Sequence, residues 1–185
     1  MSVPSELNDP GPVAPDTSDW TWVLTRRCPD CGFDPKEISP LAFTEIVRDD
    51  KQRYAAVLRR AGVRGRPSAG VWSPLEYCCH VRDVCDVMRE RLEQILAARG
   101  GAPVRFANWD QDAAAVDGAY WQSDPETVRY ELEAAFEAAA EAFDRPDGDQ
   151  WSWTGLRGDG AEFTARTLGL YFIHDLTHHL WDVQG

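Results

Sequence analysis

Basic residues are scarce in this 185-residue chain: 19 Lys+Arg stand against 31 Asp+Glu, a formal charge of −12 at pH 7. Nucleic-acid binding needs Lys and Arg to displace phosphate counterions, so the deficit weighs against that class of partner, and equally against an anionic membrane surface. No run approaches the ~18 uninterrupted apolar residues of a membrane helix. Met1 to Pro15 carry neither the basic nor the apolar region of a secretory signal, and the expected location is the cytoplasm. No internal repeat or sustained heptad is present, and no G-x-S-x-G elbow marks a serine hydrolase. Histidine is also rare, with four in the chain. The five cysteines are an odd number. In a reducing compartment they suit free thiols, a metal site or a redox device better than a disulfide frame. What remains is a soluble acidic protein acting on a small molecule or on another protein.

The positive signals begin with size and patterning. An apolar content of 43% and a charged content of 27% are ordinary for a globular domain. Residues 1–36, with Pro4, Pro10, Pro12 and Pro15 near their start, are read as a flexible N-terminal arm carrying a C-x-x-C loop. Residues 37–185 are read as one four-helix-bundle, metal-binding domain, all-α in class. Ser39-Pro40 opens the first helix, which runs to Ala61-Gly62. Ser73, Pro74 and Glu76 form a capping box for the second, which ends near Ala98. Asp124-Pro125 starts the third, and the fourth spans about Thr164 to Val183. The connection 99–124 contains one short helical turn near Ala113–Val116, and 144–162 is a loop in which Trp151–Trp153 finds no strand partner.

Chemistry concentrates in the histidines. His174 and His178 are four apart on the last helix, so their imidazoles differ by only ~40° in direction and can reach one ion. His80 lies beside the apolar stripe of the second helix and supplies a third ligand. Three neutral imidazoles with an open position are the pattern of a catalytic zinc site, and nickel or ferrous iron accepts the same ligands. The competing reading is a set of core histidines satisfied by hydrogen bonds. Because Asp175 follows His174, the motif is not the H-E-x-x-H of zinc proteases. His179 points ~100° away from His178 and is read as pocket lining. Tyr77, Asp175, Trp181 and Asp182 are neighbours of the site, with Asp182 able to orient an imidazole. Cys28-Pro29-Asp30-Cys31-Gly32 resembles half a zinc ribbon. It reads as a thiol pair or disulfide, as zinc completed by other residues or by a second chain, or as a plain turn. Cys78, Cys79 and Cys85 fit buried free thiols in the second helix.

The segments Trp72-Ser73-Pro74-Leu75-Glu76-Tyr77-Cys78-Cys79-His80 and Phe172-Ile173-His174-Asp175-Leu176-Thr177-His178-His179 resemble the two signatures of the DinB/YfiT-like superfamily. The resemblance covers residues 37–185. It implies a four-helix bundle holding a divalent metal, most simply zinc, through His80, His174 and His178. It also implies an enzyme that activates a low-molecular-weight thiol such as mycothiol for S-transfer to a small electrophile. The maleylpyruvate isomerase branch has a glutamate where this chain has His174, so the three-histidine, transferase-like branches are the better match. Two further readings stay open: a non-catalytic metal- or ligand-binding bundle acting as a sensor or partner protein, and a hydrolase with water at the open position. The expected partner is a small-molecule substrate, with a homodimer possible. No catalytic side chain or cofactor-binding residue is assigned beyond the metal ligands.

Overall fold

Three of the four long helices begin on a side-chain cap, and a capped 3-10 turn leads into the other. In the computed structural model, which describes residues 10–16 and 18–185, Ser39 caps a 3-10 turn, Pro40–Ala42, that leads into α1 (Phe43–Leu58). The capping box opening α2 (Pro74–Ala97) is complete. Ser73 Oγ accepts from the Glu76 amide and the Glu76 carboxylate accepts from the Ser73 amide. Asp124 accepts from the Thr127 amide at the start of α4 (Pro125–Phe143), and Thr164 accepts from the Thr167 amide at the start of α5 (Ala165–Asp182). The short helical turn in the 99–124 connection is α3 (Gln111–Asp117), capped by Asp110. The first nine residues of the proline-rich arm, and Thr17, lie outside the described residues.

The four long helices pack α1 on α4 and α5, and α2 on α4 and α5. Round the bundle the order is therefore α1, α4, α2, α5, which places α1 diagonally across from α2. Phe43, Leu75, Leu92, Leu132, Phe136, Phe143, Leu168 and Phe172 fill the middle. One polar tie crosses it: the Tyr54 hydroxyl, fully buried, donates to the Leu176 carbonyl at 2.7 Å. Residues before the bundle join the same core. A 3-10 turn at Trp20–Leu24, capped by Asp19, buries Val23 against it, and Cys28 and Phe33 are buried with it.

The all-α expectation needs correcting, because a three-stranded sheet is present. β1 (Val104–Phe106) pairs in parallel with β2 (Thr154–Arg157), and β2 pairs antiparallel with β3 (Glu162–Thr164). The hairpin turns at Asp159-Gly160, where Gly160 has φ +94° and donates to the Arg157 carbonyl at 2.8 Å. The sheet lies close on α2: a Cβ at Gly155 would strike the Phe106 ring and Ile95. It also anchors the loop after β1, since Asn108 Oδ1 accepts from the Asp159 amide at 3.1 Å. That anchor fixes Trp109, whose ring stacks on His80 with centroids 5.4 Å apart.

Candidate metal centre and cleft

The last helix carries donors on two adjacent faces, because residues one apart on a helix point ~100° apart. The expected set of His80, His174 and His178 does not form a single cluster. His80 gathers with Asp175 and His179, each offering one ligand atom within 4.8 Å of the others. His174 and His178 turn the other way and gather with Cys28 and Cys31, again within 4.8 Å. Both pairs on α5 have i, i+4 spacing, so both satisfy the rule that singled out His174 and His178. The rotation of α5 in the bundle decides which pair meets α2, and it is Asp175 with His179.

The His80 cluster converges through named atoms. His80 Nε2 and His179 Nε2 each lie 3.7 Å from Asp175 Oδ1. On its other side His179 Nδ1 is 2.8 Å from Asp182 Oδ2, which fixes the ring. Asp182 therefore does orient an imidazole, but that of His179. Both ring nitrogens of His80 and Asp175 Oδ1 are buried without a hydrogen-bond partner. Buried polar atoms left unpaired are costly, and a cation bound here would pair Asp175 Oδ1 and one ring nitrogen of His80. Two imidazoles and a carboxylate are also an ordinary ligand set for zinc or ferrous iron, and three protein ligands leave coordination positions open.

The protonation states are set mainly by burial. It lowers the His80 pKa, against the pull of Asp175. It also works to lower that of His179, but Asp175 and Asp182 outweigh it and the pKa is raised. Burial alone would raise the Asp175 pKa; His179 and His80 bring it below the usual carboxylate value.

A cleft of about 570 Å³ opens on this cluster, with Asp175 and His179 on its floor and Trp20, Trp72, Tyr77 and Trp109 among its walls. Asp16, Asp110, Asp112 and Asp182 also face it. Among the described residues that line the cleft, none is Lys or Arg. Tyr77, its ring 5.1 Å from that of His179, has its pKa pushed up to about 12 by burial and by Asp182, so its hydroxyl stays a proton donor at neutral pH. Trp181 is half exposed and packs on His178 outside this cluster. Cys78, Cys79 and Cys85 are buried free thiols in α2, as expected.

A four-helix bundle thus brings imidazole and carboxylate donors together at the base of an open cleft, a set that could hold a metal ion. The family model of the DinB superfamily matches residues 44–183, and the chain belongs to that superfamily. Its fold is similar to YfiT from Bacillus subtilis, described as "a probable metal-dependent hydrolase with an unusual four-helix bundle topology". The two superpose with a TM-score of 0.64 over 79% of this chain and 86% of that one, at 14% identity. At that identity the likeness is one of fold. No curated protein matches the sequence.

Proposed function

We propose that this protein is a divalent-metal-dependent enzyme in which His80, Asp175 and His179 hold the ion and a small thiol is the nucleophile. The observation that carries the reading is the convergence of His80, Asp175 and His179 beneath an open cleft, with His80 and Asp175 Oδ1 unpaired and His179 held by Asp182. A divalent ion at such a site lowers the pKa of a thiol or water bound to it, so that the nucleophile is anionic near neutral pH. The chain supplies the rest. Asp182 holds the His179 ring in one orientation and tautomer. Trp72 and Trp109 flank His80 and keep water from it. Tyr77 presents a hydroxyl that can donate to a developing anion.

The cleft's charge narrows the thiol. With four further Asp side chains facing it and no Lys or Arg in its described lining, it offers no counter-ion to the carboxylates of glutathione or bacillithiol. Indole and phenol walls with carboxylate acceptors suit an uncharged, hydroxyl-rich thiol of the mycothiol type. A second reading, water in place of the thiol, is favoured by the fold likeness to YfiT.

The test pairs metal content with turnover. The wild type is expected to show metal-dependent consumption of an electrophile with mycothiol and little with glutathione. His80→Ala should lose one bound ion per chain together with that turnover. A His80→Ala protein that keeps the wild-type metal content would sink the ligand assignment. Turnover that ignores the thiol would transfer the site to the hydrolase reading.

A further inference from the structure

The second donor cluster borders the same cleft through His174 and His178, while its thiol side is more covered. Cys28 is completely buried, His174 is 4% exposed, and Cys31 and His178 are partly covered. Cys28 Sγ sits 3.7 Å from His178 Nδ1, and His174 Nε2 is buried with no hydrogen-bond partner. Both cysteines are free thiols. The chain around them is shaped as a tight knuckle. The Gly32 amide donates to the Cys28 carbonyl at 3.1 Å, and the Cys28 amide to the Phe33 carbonyl at 2.8 Å. Gly32 has φ +80°, a conformation that favours glycine. Aromatic rings close the surroundings: Trp20 lies 4.9 Å from His178 and 5.5 Å from His174, and Phe33 lies 5.3 Å from His174, centroid to centroid.

We propose that Cys28, Cys31, His174 and His178 form a closed Cys2His2 zinc site that fastens the N-terminal arm to α5, separate from the centre at His80. Two thiolates and two imidazoles are a complete set of four for tetrahedral zinc. With Zn–S near 2.3 Å and Zn–N near 2.0 Å, the ligand atoms stand about 3.3–3.8 Å apart, and the cluster already lies within 4.8 Å. Four protein ligands leave no position for substrate, so the role is structural. A nucleophilic or redox role for Cys28 is disfavoured by its complete burial. Binding releases the thiol protons to solvent and leaves sulfur and zinc oxidation states unchanged.

Cobalt distinguishes the two centres, because thiolate gives a near-ultraviolet charge-transfer band and imidazole with carboxylate does not. Reduced, metal-stripped wild-type protein titrated with Co2+ is expected to develop that band and to lose it when Zn2+ is added. The band should survive in His80→Ala and vanish in Cys28→Ser/Cys31→Ser and in His174→Ala/His178→Ala. Native zinc content should fall by one ion per chain in the cysteine variant. No band in the reduced, metal-stripped wild-type protein would overturn the site. A band persisting in the histidine variant would overturn the ligand set. A disulfide in freshly isolated protein, shown by mass and by thiol titration, would do the same without needing any variant to fold.

Discussion

Among individual residues, Asp50 is held in conflict with its surroundings. It is 4% exposed on α1, bonded through one oxygen to the half-exposed Arg53 at 3.1 Å, while Oδ2 is buried and unpaired. Burial raises its pKa to about 6, more than Arg53 lowers it. The folded chain therefore takes up this proton more readily than the unfolded one. The stability linked to Asp50 is fully present below the ordinary carboxylate pKa and is lost as pH rises through about 6. Asp50→Asn should accordingly stabilise the protein at pH 7.5 by on the order of 2 kcal/mol and by much less at pH 4. Urea melts at the two pH values measure it, and equal shifts at both would show that ionisation is not the cause.

At the scale of elements, the contact between α1 and α5 depends on a missing side chain. A Cβ at Gly169 would overlap the Phe43 ring, which is itself packed edge-on against Phe143 and Trp151. Gly169→Ala gains helix propensity but must push the two helices apart, and a net loss of about 1–3 kcal/mol is expected. A chemical melt reads it, and Phe43→Leu in the same chain should recover part of the loss.

Helix boundaries were legible in the sequence because Ser39, Ser73, Asp124 and Thr164 are local signals. The sheet was not legible. Its strands are three and four residues long, too short for a period, and β1 meets β2 across the whole of α3 and α4, Val104 opposite Gly155. Only Asp159-Gly160 announced the hairpin. The candidate donors were legible as residue types and spacing, but how they group was not. His174/His178 and Asp175/His179 share one period, and nothing local fixes how α5 is rotated. Cys28 and Cys31 fell outside the bundle at the boundary drawn at residue 36, so their partners on α5 were out of view.

For the whole molecule, the closed cluster ties positions 150 residues apart, Cys28 to His178. A cross-link closing a loop of that length removes roughly 5 kcal/mol of unfolded-state freedom in the chain-entropy picture. Stripping zinc with a strong chelator under reducing conditions is expected to lower the Tm by roughly 10 °C. It should also open residues 18–38 to protease while far-ultraviolet circular dichroism stays helical. Unchanged cleavage and Tm after verified metal removal would deny the cluster its structural role.

The same span has a consequence in time. A ribosome adding ~5–20 residues per second releases Cys28 and Cys31 roughly 8–30 seconds before His178 is made. Throughout that interval two of the four donors exist without the others, while α1, α2 and α4 are already emerging. The ion can be captured in full only once α5 is complete, so its loading closes the assembly of this protein and cannot begin it.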